Sequence, residues 1–285
     1  MKNFKRQYSY LSRNKGSILV VSVWVLVAFS ILSVGLYGIV SSRLKVAQVL
    51  EGRVTGQYLA KAACVWFKAK QASGKEPLDT ISKLQEKQVH EFGRWKFTYT
   101  LTDEESNINI NTASMDVISR LPGFDKELAE EVYESKLKPF NVKEGLLLIE
   151  GVSEEAFNSC KDIITVYGSG GVNINTADTQ VLQVLGLDTS LIDLIKSFRA
   201  GPDGKEGTAD DGIFASTTEI INNLRSYSSL FEAQEAKLVQ LISQNALVTS
   251  SQAFTLNIET TILEKAMMRY NIVVDKDKIK RWEEL

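Results

Sequence analysis

The sequence predicts an α+β fold: a long N-terminal helix packed on an antiparallel sheet, with a large all-helical domain inserted between the strands. Three observations carry this expectation. An uncharged run of twenty-four residues opens the helix, and apolar residues at spacings of three and four extend it. Segments that alternate apolar and polar residues stand near 95–102 and again near 253–274, the period of half-buried strands. Between them Asn109-Ile110-Asn111-Thr112-Ala113-Ser114 recurs sixty-four residues later as Asn173-Ile174-Asn175-Thr176-Ala177-Asp178, each copy leading into helical patterning.

The run from Ser17 to Val40 contains no Asp, Glu, Lys, Arg or His, and it exceeds the roughly 20 residues that cross a bilayer core. The sixteen residues before it hold Lys2, Lys5, Arg6, Arg13 and Lys15 and no acid. That bias keeps the N-terminus cytoplasmic and sends the rest across the membrane. A removable secretory signal is the rival reading, but its apolar stretch is about 7 to 15 residues and ends in a small-residue cleavage site, which is missing here. A retained single-pass anchor is expected.

Composition is that of a folded protein, with 24% charged and 44% hydrophobic residues, so wholesale disorder is not expected. Beyond residue 16 there are 28 basic against 35 acidic residues, a net charge of −7 that repels nucleic acid and anionic lipid. Cys64 and Cys160 are too few for a disulfide framework; two separately buried thiols are expected, with a single bridge between them as the alternative. The one histidine, His90, lies in a polar stretch and reads as a surface residue. No nucleophile elbow or zinc-ligand spacing surrounds it, so an enzyme is not expected.

Past the apolar run, Leu44, Ala47, Leu50, Val54, Tyr58, Ala62, Val65, Trp66 and Ala69 mark one apolar helix face. The helix runs to about Ala72, where Ser73-Gly74 and Pro77 signal a stop, giving a rod on the order of 80 Å. Leu78 to Val89 suits a short helix, and Trp95 to Thr102 a strand, followed by a short extended piece at Asn107–Asn111. In each repeat a Thr, Thr112 or Thr176, occupies the expected N-cap, and the helix after it ends at Leu121-Pro122-Gly123 or Leu185-Gly186. Leu146–Glu150, a turn at Gly151-Val152-Ser153 and Glu154–Ile163 repeat the helix, turn, helix plan. Strands return at Ala253–Ile262 and Met268–Val274, with Lys278–Leu285 as a last edge strand. The expected divisions are a leader 1–16, a membrane half-helix 17–42, a first sheet part 43–111, the helical insertion 112–249 and a second sheet part 250–285.

One loop, Gly201 to Gly212, carries Asp203, Glu206, Thr208, Asp210 and Asp211 among glycines. Four acids within nine residues repel one another without a cation, and calcium takes six to eight such oxygens. The spacing is not that of an EF-hand, and a solvated turn is the alternative.

These residues resemble a known family. Gly16 closing a basic leader, the Ser17-started helix with Trp24-Val25-Leu26, the W-x-F-x-Y-x-L-x-D-E strand, two N-I-N-T-A segments and Arg281-Trp282-Glu283 are similar to the protein K family of type II secretion minor pseudopilins. The resemblance implies a pilin-like fold, cleavage after Gly16 by prepilin peptidase and methylation of Ser17. It also implies calcium in the globular part, and assembly with the I and J minor pseudopilins at a pseudopilus tip that meets secreted substrate. Val21, the fifth residue after the cleavage point, stands where most pilin-like subunits carry Glu. A buried Glu there needs a cation from the subunit above, so its absence suits the tip. Val21, Trp24, Val46, Val49 and Leu59 are the residues expected to meet partner helices. No catalytic residue is implied.

The helical segments also resemble helix-hairpin-helix modules, which bind DNA through backbone amides of a G-h-G turn, so a membrane-anchored DNA receptor is the alternative. Here Asp125 stands at the second glycine of Gly123-Phe124-Asp125, amid Asp116, Glu127, Glu130, Glu131 and Glu134, a field that opposes phosphate.

Overall fold

The computed structural model of the chain describes residues 15–74, 78, 80–262 and 265–285. The expected leader up to residue 14, and Pro77, lie outside the described residues. The chain forms two compact units, Met1–Thr55 and Gly56–Leu285. Helix α1 (Lys15–Ser73) supplies the described part of the first unit, and its side chains from Ser17 to Val40 are exposed. It is, among the described residues, the one helix long and apolar enough to cross a membrane.

In the second unit, α1 from Gly56 onward lies on a five-stranded antiparallel sheet of order β1-β2-β7-β8-β9. The strands are β1 (Gln88–Phe92), β2 (Trp95–Asp103), β7 (Ala253–Ile262), β8 (Lys265–Asp275) and β9 (Lys278–Glu284), and a short helix α2 (Ile81–Gln85) precedes β1. Register aligns Tyr99 with Ile258 and Tyr270, and Leu101 with Leu256 and Ile272, so one face of the sheet is apolar. Leu59, Ala60, Ala63, Cys64 and Phe67 of α1 pack on it, Phe67 edge-on to Phe254 at 5.5 Å.

Two expectations about this unit are corrected. The buried stripe of α1 runs through Gly56, Leu59/Ala60, Ala63/Cys64 and Phe67, whereas Tyr58, Val65 and Trp66 face outward. Small residues won the inner face because they let the helix backbone approach: a Cβ on Gly56 would stand 3.0 Å from Tyr270 Oη. Second, His90 is half-buried and not a fully exposed surface side chain. It sits in β1 with its ring 4.5 Å from Trp66 and 4.9 Å from Phe97, and burial lowers its pKa.

β2 and β7 are neighbours in the sheet, and everything between them forms the insertion. It consists of two modules of one plan. The first holds β3 (Ile108–Asn109), α3 (Met115–Ile118), α4 (Lys126–Tyr133), a 3-10 helix at Lys143–Leu148, α5 (Glu154–Cys160) and β4 (Ile164–Thr165). The second holds β5 (Val172–Asn173), α6 (Thr179–Val184), α7 (Thr189–Arg199), α8 (Ile220–Tyr227), α9 (Glu232–Ser243) and β6 (Leu247–Val248). Each is closed by a two-residue parallel pair, β3 with β4 and β5 with β6, and the modules share one apolar core. The helices start at Ser114 and Asp178, which cap Val117 and Thr179, and not at the expected Thr112 and Thr176. Those threonines turn back: Thr112 Oγ1 donates to the Asn109 carbonyl, and Thr176 Oγ1 donates to Asp103 at 2.6 Å.

Three consecutive acids at the end of β2 fasten the insertion to the sheet. The buried Asp103 carboxylate accepts from Thr176 Oγ1 and Ser251 Oγ at 2.6 and 2.7 Å. Glu104 accepts from Thr165 Oγ1 at 2.6 Å and from Thr255 Oγ1. Glu105, also buried, accepts from the Ser169 and Gln252 backbone N–H groups. Buried carboxylates are tolerable because each is satisfied by several donors.

Candidate functional site

The residues singled out in the sequence fall into three separate places. At the start of α1, Gly16 and Ser17 lie in the first helical turn, with Val21 and Trp24 exposed one and two turns on, 58% and 69% respectively. Further along the helix Val46 and Val49 are also exposed, at 57% and 70%. Leu59 is not available to a partner helix, since at 8% exposure it belongs to the core against the sheet. The outward apolar residues that sequence reasoning placed inside, Tyr58, Val65 and Trp66, take its place on the open face.

The acidic loop joins α7 to α8. It is closed at its base by the Gly212 N–H donating to the Arg199 carbonyl at 3.0 Å. Asp210 accepts from the Asp203 N–H at 3.1 Å, and Asp211 accepts from the Gly207 and Thr208 N–H groups at 2.8 and 3.1 Å. Asp203 accepts from the Lys205 N–H at 2.8 Å. The Thr208 hydroxyl donates to Asp210 at 2.6 Å, which holds that carboxyl below its usual pKa. Glu206 turns the other way, its Oε1 2.6 Å from Nη2 of the buried Arg199. Burial lowers the Arg199 pKa, and Glu206 opposes that shift. The same guanidinium donates to the Ala177 carbonyl at 2.7 Å, so Arg199 ties the loop to the second N-I-N-T-A turn. The carboxylates of Asp203, Asp210 and Asp211 are thus taken up by amides of the loop itself and by the Thr208 hydroxyl. Among the described residues no three His, Cys, Asp or Glu side chains converge as a metal-holding group.

The third place comprises the helix starts where a helix-hairpin-helix protein would meet phosphate. Each holds its own cap: Asp125 accepts from the Leu128 N–H at 2.8 Å, Ser153 from Ala156 at 3.1 Å and Asp188 from Leu191 at 2.9 Å. One amide at each of these starts is therefore occupied, two of the three by a carboxylate.

Comparison with known proteins agrees with this architecture. The family model for the helix-hairpin-helix motif matches residues 103–165, the first module. No curated protein matches the chain. Among solved structures, a chain of the GspK-GspI-GspJ complex from the enterotoxigenic Escherichia coli Type 2 Secretion System is similar with a TM-score of 0.51 and 15% identity. The likeness covers 86% of this chain and 96% of that one. At that identity it shows the fold: a pseudopilin-like long helix and antiparallel sheet with a helical insertion between strands.

Proposed function

We propose that the chain is a minor pseudopilin of the protein K type, placed at the tip of a type II secretion pseudopilus, where it starts assembly with I- and J-type subunits and supports export of folded proteins. The observation that carries the reading is the union, in one chain, of this fold with an uncharged run that begins directly after Gly16 and has Val21 as its fifth residue. A stem without a buried acid asks for no cationic neighbour above it. In this reading the chain is anchored once in the inner membrane with its N-terminus cytoplasmic, and α1 meets partner helices through exposed side chains, Val46 and Val49 in the first unit and Tyr58 and Trp66 in the second. Calcium belongs to the same proposal, with Asp203, Thr208, Asp210 and Asp211 as its donors and Glu206 committed to Arg199.

The test is the mature N-terminus. Cleavage should leave an N-methylated Ser17, and Gly16→Leu should leave the full-length chain; an intact Met1 in the normal protein overturns the reading. The helix-hairpin-helix match favours a second reading, a membrane-anchored DNA receptor. The self-capped helix starts argue against it. Binding of a duplex of about 30 base pairs at ~150 mM salt would revive it, since salt-resistant binding needs many cationic contacts.

A further inference from the structure

A groove of about 460 Å³ lies beside the end of α4, floored by Leu137, Leu148 and Ile149 and rimmed by Glu130, Glu131, Glu134 and Glu150, with Ser135 and Lys136 completing the rim. Leu148 is 75% exposed and Leu137 49%, so large apolar side chains stand in the open next to four exposed carboxylates. Among the described residues none of those four makes an ion pair or a side-chain hydrogen bond. Their placement is also locally unfavourable. Glu130 and Glu131 occupy the C-terminal turn of α4 and Glu134 caps it, where the helix dipole is negative and the turn itself holds no basic residue, Lys136 following two residues beyond the cap. Glu127 with Glu131, and Glu130 with Glu134, add like-charge pairs at i,i+4. Local inconsistency of this kind is expected at functional or strained sites.

We propose that this groove docks a cationic amphipathic peptide segment of another protein. One or two large apolar side chains seat on Leu137, Leu148 and Ile149, and flanking Lys or Arg residues face the glutamate rim. An apolar floor with a predominantly acidic rim, four glutamates against Lys136, gives burial for affinity and charge for partner choice. A second copy of this chain is the less suitable occupant, because its basic strand β9 already pairs Lys280 with Asp275 and Arg281 with Glu283. The inference is independent of the secretion reading, since it rests on the groove alone.

The experiment is hydrogen–deuterium exchange of the full chain in neutral detergent, with the peptide acetyl-Lys-Leu-Lys-Lys-Phe-Lys-amide as probe and hexalysine as the charge-only control. The expected result is about tenfold slower exchange in α4 and the Lys143–Leu148 segment when free probe is about ten times its Kd. Hexalysine should give little protection, and protection should be lost in Glu130→Lys/Glu134→Lys and, separately, in Leu148→Ser. Both variants sit on exposed positions, and far-ultraviolet circular dichroism checks that they fold. Absent protection, equal protection by hexalysine, or unchanged protection in the two variants overturns the proposal. So does protection that rises with protein concentration without probe, which would make a second copy the occupant.

Discussion

Asn111 and Phe140 hold each other in both directions: Asn111 Oδ1 accepts the Phe140 N–H at 2.7 Å, and its Nδ2 donates to the Phe140 carbonyl at 3.0 Å. Asn175 and Phe214 repeat the clamp at 2.9 and 3.1 Å. In each module the same Nδ2 also reaches the end of the closing strand, Val166 in the first and Thr249 in the second. One amide therefore fixes the loop after the second helix to the parallel pair. The repeated N-I-N is conspicuous in the sequence because its second Asn performs the same task twice.

A carboxylate cannot replace that amide, because it has no donors. Asn175→Asp would leave the Phe214 and Thr249 carbonyls unpaired against a buried charge, and we expect a loss of about 3 kcal/mol or more. Asn111→Asp should cost less, since Asn111 is only half-buried whereas Asn175 is buried. Urea midpoints of both variants in neutral detergent check this, and equal losses would refute the assigned difference.

The contact of Gly56 with β8 leads to a second expectation. A Val side chain there must pass Tyr270 Oη at 3.0 Å and Met268 Cγ at 3.1 Å, so Gly56→Val should destabilise by about 1–3 kcal/mol through overpacking. Tyr58→Ala, on the outward face, should leave thermal unfolding nearly unchanged. A neutral Gly56→Val would mean that the helix does not approach the sheet this closely.

Much of the fold was legible because periodicity survives in single residues. Trp95 to Thr102 and Ala253 to Ile262 alternate, and both are strands paired to each other across the insertion. The rest was hidden where physical context decides. β1 escaped because Gln88, His90 and Glu91 mask the alternation of an edge strand, and His90 was misread with it. Which face of α1 is buried was also invisible, since the helix is apolar around much of its circumference and only backbone proximity selects Gly56, Ala60 and Ala63. The acidic loop was plain from composition, but Glu206 was not separable from its neighbours until Arg199, distant in sequence from Ala177, was seen to bridge them.

The proposed calcium ion makes a thermal prediction. Millimolar calcium should raise the melting temperature and chelator should lower it, because an ion bound only by the folded state adds stability with its concentration. Asp210→Asn should abolish the shift, and Glu206→Gln should preserve it. A shift that survives Asp210→Asn would move the ion elsewhere.

Cys64 and Cys160 are both free and buried, and burial pushes each thiol up to about 11. At pH 8 about one thiol in a thousand is then thiolate, against about a quarter for a free cysteine. Ellman's reagent should therefore react slowly with the native chain and titrate two thiols at once after denaturation without reductant. Fewer than two thiols would reveal a bridge.

Asp188 caps α7 and connects it to α9, accepting from the Ser190 hydroxyl at 2.6 Å, the Leu191 N–H at 2.9 Å and Gln234 Nε2 at 3.1 Å. The Ser190 hydroxyl, followed by the Leu191 amide, lowers its pKa below the unfolded value. A carboxyl with a depressed folded pKa contributes stability that is fully present above the unfolded pKa of about 3.9 and is lost as pH falls through the folded value. Asp188→Ala should accordingly cost about 1–2 kcal/mol at neutral pH, the range of a lost helix cap. The gap from the normal protein should stay constant from about pH 8 to pH 5 and close below about pH 4. Unfolding midpoints across that range check it, and a gap that persists unchanged to pH 3 would show that packing, and not the charged cap, carries the effect.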